Sequence, residues 1–146
     1  MIYDSLKIKG DLVITLTDEI GNVKQHMEVP NLIVTLGKNH IASRIAGTAQ
    51  TVMTLMQVGS SATTPTLTDT ALITEAPTAK VALAGFVATN NQITATATFG
   101  PGIGGTSLRE AGLFNASSIM LARTTFPLIS KASNDTLSIT WTITVA

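Results

Sequence analysis

The segment at residues 137–145 alternates apolar and hydroxyl side chains without interruption. Side chains on a β-strand point to opposite faces with period two, so this segment has one apolar face and one hydroxyl face. The same pattern recurs at residues 12–17 and 93–99. Threonine is the commonest residue in the chain, and its branched β-carbon favours strands while its hydroxyl tolerates water. The pattern predicts a β-rich scaffold in which each strand buries one face.

The composition limits the functions that the chain fits. Its 146 residues predict one domain, and 45% of them are hydrophobic whereas only 12% are charged. Nine basic and nine acidic residues cancel, so there is no electrostatic case for nucleic acid as a direct partner. No cysteine is present, which excludes disulfides, thiolate metal sites and thiol nucleophiles. So few charges suggest that part of the surface is buried in an assembly, although threonine and serine could also solvate it.

Neither a signal peptide nor a membrane-spanning segment is predicted. Residues 1–7 lack a basic start followed by a continuous apolar run, and no apolar stretch approaches the ~20 residues that span a bilayer. We therefore expect synthesis and folding in a cytoplasm, without a membrane partner. The Asn-X-Ser/Thr motifs at Asn115 and Asn134 are then expected to be turns rather than glycosylation sites.

About eight strands are predicted. Two of them, at residues 5–17 and 22–29, form a first hairpin. The others are predicted, in chain order, at residues 52–58, 78–88, 92–99, 108–114 and 119–126 and from Asp135 onward. This number of strands predicts an all-β fold with one short helix, an antiparallel β-sandwich of jelly-roll or related topology. Residues 1–146 are expected to form a single domain, with residues 1–30 a candidate N-terminal β-hairpin arm that reaches a neighbour.

One helix is predicted between Thr35 and Gly47, with Thr35 capping its start and Gly47 ending it. Its packing face is predicted from the apolar residues that share one side: Ile41, Ile45, Ala42 and Ala46. A long polar segment at residues 59–70 follows the next strand, and Asp69 is expected to cap a brief helical turn over residues 70–75. A loop this long is often functional, but an inert surface connection fits equally well.

The glycines at residues 100–105 match the spacing G-x-G-x-x-G after a predicted strand, as dinucleotide sites do. The context does not fit, because any helix from Leu108 would be short and would contain Gly112, and no βαβ unit surrounds it. A loop between strands is the better interpretation.

His26 and His40 are the only histidines, and neither has a partner at metal-ligand spacing. We therefore predict no catalytic, cofactor-binding or metal-binding residues, and no cofactor.

Charged residues are rare in the β-rich second half, where Arg109, Glu110 and Arg123 stand out. A structural ion pair and a contact between subunits both fit these residues. The nine acidic residues show no obvious carboxylate pair of the kind that glycoside hydrolases use, so an enzyme is not predicted.

Three parts of the chain carry a family resemblance. They are Met56-Gln57-Val58-Gly59-Ser60 with Pro65 and Asp69-Thr70-Ala71-Leu72; Arg109-Glu110-Ala111-Gly112-Leu113-Phe114-Asn115; and Met120-Leu121-Ala122-Arg123-Thr124-Thr125-Phe126-Pro127 with residues 135–144. Together with residues 31–35 and 37–39, they resemble small virion proteins of tailed bacteriophages, in particular the capsid cement (decoration) proteins of short-tailed phages. The resemblance covers most of residues 31–146, and related strings also occur in phage tail and collar proteins.

The resemblance implies a structural protein of the virion, made in the bacterial host cytoplasm, that binds the capsid exterior. Its implied partners are the major capsid protein and itself, as a homodimer or homotrimer that cements neighbouring capsid subunits. That family has β-sandwich or jelly-roll folds and no catalytic residues to carry over. The alternative is a phage tail, collar or fibre-attachment structural protein.

Overall fold

The computed structural model describes residues 5–48 and 50–146. Within them lie ten strands and one helix: β1 (Ile8–Thr17), β2 (Val23–Pro30), β3 (Leu32–Ile33), α1 (Thr35–Ile45), β4 (Met53–Gly59), β5 (Val81–Ala82), β6 (Gly85–Thr89), β7 (Gln92–Phe99), β8 (Ser107–Asn115), β9 (Met120–Ser130) and β10 (Thr136–Val145). The first sheet has the order β2-β1-β10-β7-β6 and the second sheet the order β3-β9-β8-β4-β5, with every described pairing antiparallel. The predicted all-β sandwich with one short helix is confirmed.

The first sheet follows the alternation of the sequence. Trp141 lies at its centre, opposite Leu12 on β1 and Ala95 on β7. All three side chains are buried in the core between the sheets. The intervening hydroxyl residues lie on the other face, where Thr140 stands between Val13 and Thr96. Burial of one apolar face therefore sets the register of this sheet, because a slip of one residue would expose that face.

The second sheet is covered on both faces. Its inner face packs against the first sheet, whereas its outer face carries a second apolar cluster formed by Val34, Leu72, Phe114 and Met120. Leu72 comes from the long connection between β4 and β5, so that connection lies over the sheet. The sandwich thus has a third, irregular layer on one side, and the polar loop predicted from the sequence forms most of it.

Two features of the predicted helix need correction. The helix begins at Thr35, but Val34 is the N-cap residue and no side chain caps the start. The predicted packing face is only partly correct, because Ile41 packs against the core whereas Ile45 is 81% exposed, and the buried helical residues are Gly37 and His40. The cause is close approach to β9: a Cβ on Gly37 would overlap the carbonyl oxygen of Leu121. The helix therefore approaches the sheet most closely at its smallest residue, and Ile45 points away from the core.

Three other element predictions need correction. The predicted strand at residues 78–88 divides into β5 in the second sheet and β6 in the first, and the two-residue strand β3 was not predicted. The predicted helical turn over residues 70–75 does not form. The turns at Asn115 and Asn134 form as predicted.

The first hairpin is part of the first sheet in the described residues. β1 is hydrogen-bonded to β2 on one side and to β10 on the other, and Leu12, Ile14 and Leu16 are each at most 1% exposed. Residues 1–4 of the predicted arm lie outside the described residues. The single-domain organisation and the role of residues 1–30 as an arm stay predictions, which a truncation can test. None of the described helical residues forms a helix long and apolar enough to cross a bilayer.

Candidate functional site

A buried ion pair lies on the outer face of the second sheet. Arg123 on β9 and Glu110 on β8 are both 0% exposed, and the Arg123 Nε donates to Glu110 Oε2 at 2.9 Å. Arg123 Nη2 lies 2.8 Å from the same carboxylate oxygen. Removing two charges from water carries a large desolvation penalty, which their mutual attraction offsets only when their other hydrogen-bonding groups are also satisfied.

The long loop between β4 and β5 satisfies those groups. Arg123 donates from Nη1 to Asp69 Oδ2 at 3.1 Å and from Nη2 to the carbonyl oxygen of Thr63 at 2.8 Å. Glu110 accepts hydrogen bonds from the backbone N–H groups of Ile73 at 3.1 Å and Thr74 at 2.8 Å. We call residues 60–75 the anchored loop, because one buried pair holds it at both ends and near its middle.

Asp69 organises the middle of the anchored loop. Its carboxylate accepts hydrogen bonds from the backbone N–H and the hydroxyl of Thr66, each at 2.9 Å. Burial is the largest single influence on this carboxyl and would raise its pKa, but the hydrogen bonds from Thr66 and Arg123 and the Arg123 charge outweigh it and lower the pKa. Asp69 is therefore a charged ligand of Arg123 at neutral pH, and not the helix cap that the sequence predicted.

Apolar contacts complete the attachment of the anchored loop. Leu72 is 7% exposed and packs with Phe114. Gly112 on β8 leaves room for both side chains, since a Cβ there would lie 2.9 Å from Leu72 Cδ2 and 2.8 Å from the Phe114 ring. With its inner side fixed, the loop presents Leu67 and Ile73 outward, at 46% and 51% exposure.

The glycine-rich loop at residues 100–106 lies beside the anchored loop. Gly102, Gly104 and Gly105 have positive φ, and the loop leads into strand β8, with no helix at its end. Gly104 N–H donates to Thr78 Oγ1 at 2.9 Å. The G-x-G-x-x-G spacing thus builds a turn into a strand and lacks the helix N-terminus that would face a pyrophosphate. The prediction of a loop between strands is confirmed.

The two loops share an open pocket of about 420 Å³. Its walls come from Gly59 and Ser60, residues 74–77 and residues 104–108. Backbone and small side chains dominate these walls. The one carboxylate among them, that of Glu75, is paired with Lys80 at 2.8 Å. The pocket therefore offers a shaped surface but no constellation of catalytic groups.

Another ion pair joins β2 to the turn before β10. Lys24 Nζ lies 2.6 Å from Asp135 Oδ2, and Asp135 also accepts the backbone N–H of Ala132 at 2.8 Å. The hydrogen bond from Lys24 is the main reason that the pKa of Asp135 is lowered. Nearby, the Lys131 ammonium donates to the carbonyl oxygen of Gly100 at 2.8 Å, and its burial lowers the pKa of Lys131. These contacts close the end of the sandwich opposite the start of β1.

The histidines take part in none of these ion pairs. His40 Nε2 is hydrogen-bonded to the carbonyl oxygen of Thr51 at 2.6 Å, and His26 Nδ1 to Thr15 Oγ1 at 2.9 Å. The described residues contain no group of three or more His, Asp or Glu side chains that could hold a metal ion. The expectation of no catalytic, cofactor-binding or metal-binding residues stays a prediction.

Of the three charges singled out from the sequence, Glu110 and Arg123 form a structural pair, and Arg109 is not part of it. Asp69, the third charged residue of this cluster, was not predicted, because it lies 54 residues before Arg123 in the sequence. One feature of the sequence does indicate that Arg123 has an acidic partner. A charged residue in an otherwise apolar strand needs a partner of opposite sign, and acids are few in this chain.

Comparison with known proteins identifies one family. A family model described as "Phage tail-collar fibre protein, N-terminal" matches residues 27–145, which include the second half of β2 and every later element to the end of β10. No curated protein and no solved structure matches the chain at a significant level.

The family match corrects the resemblance to capsid cement proteins, which is wrong both as a family and as a function. The prediction of a bacteriophage virion structural protein is confirmed, and so is the prediction that the chain is not an enzyme, because the matched family is one of structural fibre proteins. The tail alternative agrees with the match, and the capsid location does not.

Proposed function

Because the chain belongs to the phage tail-collar fibre protein N-terminal family, we propose that it joins a tail fibre to other components of the phage tail. The observation that carries this proposal is the extent of the match, which covers the second sheet, the anchored loop and most of the first sheet. We further propose that the protein self-associates as a dimer or trimer, since virion structures are built from repeated identical contacts.

The anchored loop is the surface that we propose for contact with another tail protein. Arg123 and Glu110 hold its backbone before any partner arrives, so little conformational entropy is lost on binding. Its outward side chains include Leu67 and Ile73, which are exposed and apolar and can be buried against a partner. Attachment through several copies would multiply weak individual contacts.

Location in the virion tests the proposed function. Phage carrying a tagged version of this protein should show gold label on the tail in immuno-electron microscopy, and the tag should follow the tail fraction when heads and tails are separated. Label on the head, with one copy for each capsid subunit, would refute the proposal.

A matched pair of substitutions tests the proposed contact surface. Leu67→Lys places a charge on the anchored loop, whereas Leu128→Lys changes a similarly exposed leucine on β9; the two are 46% and 40% exposed. We expect Leu67→Lys to reduce incorporation into tails while Leu128→Lys does not, with both proteins equally folded by circular dichroism. Equal incorporation of both variants would show that the loop is not the contact.

A further inference from the structure

The two sheets differ in how their edges are protected. The second sheet ends in β3 and β5, which have only two residues each. The flank of β4 beyond β5 is paired with loop backbone, through Ala76 N–H to Val58 at 3.0 Å and Ser60 N–H to Thr74 at 2.9 Å. The first sheet instead ends in two longer strands, β2 and β6. An exposed edge strand presents unpaired backbone groups that can pair with another chain.

Strand β2 carries several features that oppose such pairing. Lys24 and Glu28 place charges along it, and Pro30 lacks an N–H. Side chains also tie it to β9 of the second sheet: Gln25 Nε2 donates to the carbonyl oxygen of Leu128 at 3.2 Å, and the Thr124 hydroxyl donates to that of Pro30 at 2.6 Å. The edge strand β2 is therefore protected against pairing with another chain.

Strand β6 has none of these features. Its residues Gly85–Thr89 include no charge and no proline, and Val87 is 60% exposed. A two-residue turn, with positive φ at Asn90, joins β6 to β7 and pairs Thr89 with Gln92. Because hydrogen-bonded and non-hydrogen-bonded pairs alternate in an antiparallel ladder, the N–H groups of Phe86 and Ala88 point away from β7. No described element pairs with that side of β6.

We propose that the free edge of β6 pairs with β6 of a second copy of this chain, antiparallel and about a twofold axis at Val87. The strand is complementary to itself in this register: Phe86 faces the small Ala88 of the partner subunit, Gly85 faces the partner's Thr89, and Val87 faces the partner's Val87. The outward N–H and C=O groups of Phe86 and Ala88 then bond across the axis, and no like charges meet because the strand carries none. This inference rests on the proposed self-association and identifies its surface.

A strand of five residues forms a small interface. Its buried area is well below the ~1,200 Å² of total buried area that is typical of stable complexes. The pairing should therefore depend on protein concentration in solution and strengthen where several copies are held together in a tail. Disulfide cross-linking is a suitable probe, because it captures a pairing that is weak but has one specific register.

The chain has no cysteine, so a single introduced thiol reports one contact. In the proposed register Val87 and the partner's Val87 form a non-hydrogen-bonded pair with Cα atoms about 4.5 Å apart, within disulfide range. We expect mild oxidation of the purified Val87→Cys protein to give covalent dimers. The matched control is Val23→Cys on β2, where the valine is 61% exposed, and it should remain mostly monomeric.

A second variant tests the backbone pairing itself. Ala88→Pro removes an outward N–H and leaves the ladder between β6 and β7 intact. It should abolish the concentration-dependent dimer seen by sedimentation while the circular dichroism spectrum is unchanged. Equal cross-linking of Val87→Cys and Val23→Cys, or a protein that is monomeric at every concentration, would refute the inference. None of these results would alter the proposed tail location, which the labelling experiment tests independently.

Discussion

Arg123→Met is the substitution that most directly tests how the loop layer is attached. It removes the guanidinium that binds Glu110, Asp69 and the carbonyl oxygen of Thr63, and it retains much of the side-chain volume. Glu110 is then a fully buried carboxylate with only the backbone N–H groups of Ile73 and Thr74 as partners. Removing one member of a buried pair typically costs about 3–5 kcal/mol, because the remaining charge is left uncompensated.

We expect a loss near the lower end of that range, about 3 kcal/mol, since Glu110 retains two hydrogen bonds and Asp69 is partly exposed and can turn toward water. A small domain unfolds in urea with a slope of roughly 1–3 kcal/mol/M, so the midpoint should fall by roughly 1–3 M. Limited proteolysis should also detect faster cleavage within the anchored loop, because its attachment is lost before the core unfolds.

A matched control separates this effect from the loss of any cation. Lys80→Met breaks the more exposed pair with Glu75, and surface pairs contribute only about 0–1 kcal/mol. Combining Arg123→Met with Glu110→Gln should cost less than the sum of the two single changes, by roughly 0.5–3 kcal/mol, because neither charge is then left alone. If Arg123→Met is no more destabilising than Lys80→Met, and the loop is cleaved at the wild-type rate, the reasoning about the buried pair is wrong.

Three further predictions concern the core, the first hairpin and acid stability. Trp141→Ala should cost about 3–5 kcal/mol in urea unfolding, because the indole is fully buried and its removal leaves a cavity; a loss under ~1 kcal/mol would mean that this face is not the core. A chain that starts at Asn31 should show no cooperative thermal transition, because residues 1–30 contain a central strand of the first sheet, whereas a folded truncation that has lost self-association would support the arm. The lowered pKa values of Asp69 and Asp135 contribute stability that is complete above the ordinary value of 3.8 and is lost as pH falls through the lower folded-state values. Melting temperatures should therefore be nearly constant above about pH 5 and fall below about pH 4, and a transition unchanged down to pH 2 would contradict this account.

The strands with strict alternation were predictable because their pattern is local. Residues 137–145 become β10, and the position of Trp141 in the core follows from its place in that alternation. Turns marked by asparagine were predictable for the same reason: Asn115 Oδ1 accepts the backbone N–H groups of Ser117 at 3.0 Å and Ile119 at 2.9 Å, within one short turn. In both cases the interaction that decides the structure involves residues close together in sequence.

Features set by distant contacts were not predictable in this way. The helix buries His40 and not Ile45 because Gly37 lies against the backbone of β9. No periodicity of the helix itself encodes that contact. Asp69 likewise binds Arg123 across 54 residues, whereas the local pattern around Asp69 equally suits a helix cap. Tertiary contacts override local preference at both sites.

The motifs that suggested a capsid cement protein explain why a virion protein was predicted correctly and its location in the virion was not. In the motif at residues 109–115, Glu110 holds the loop layer, Gly112 makes room for Leu72, and Asn115 closes a turn. Each acts within the chain, so the motif specifies a β-sandwich with an anchored loop and says nothing about the partner that meets its surface. Folds of this kind serve many assemblies, and location is determined by exposed side chains such as those on the loop and the β6 edge. The surface substitutions at Leu67 and Val87 therefore report on assembly, whereas changes at Arg123 or Trp141 report only on folding.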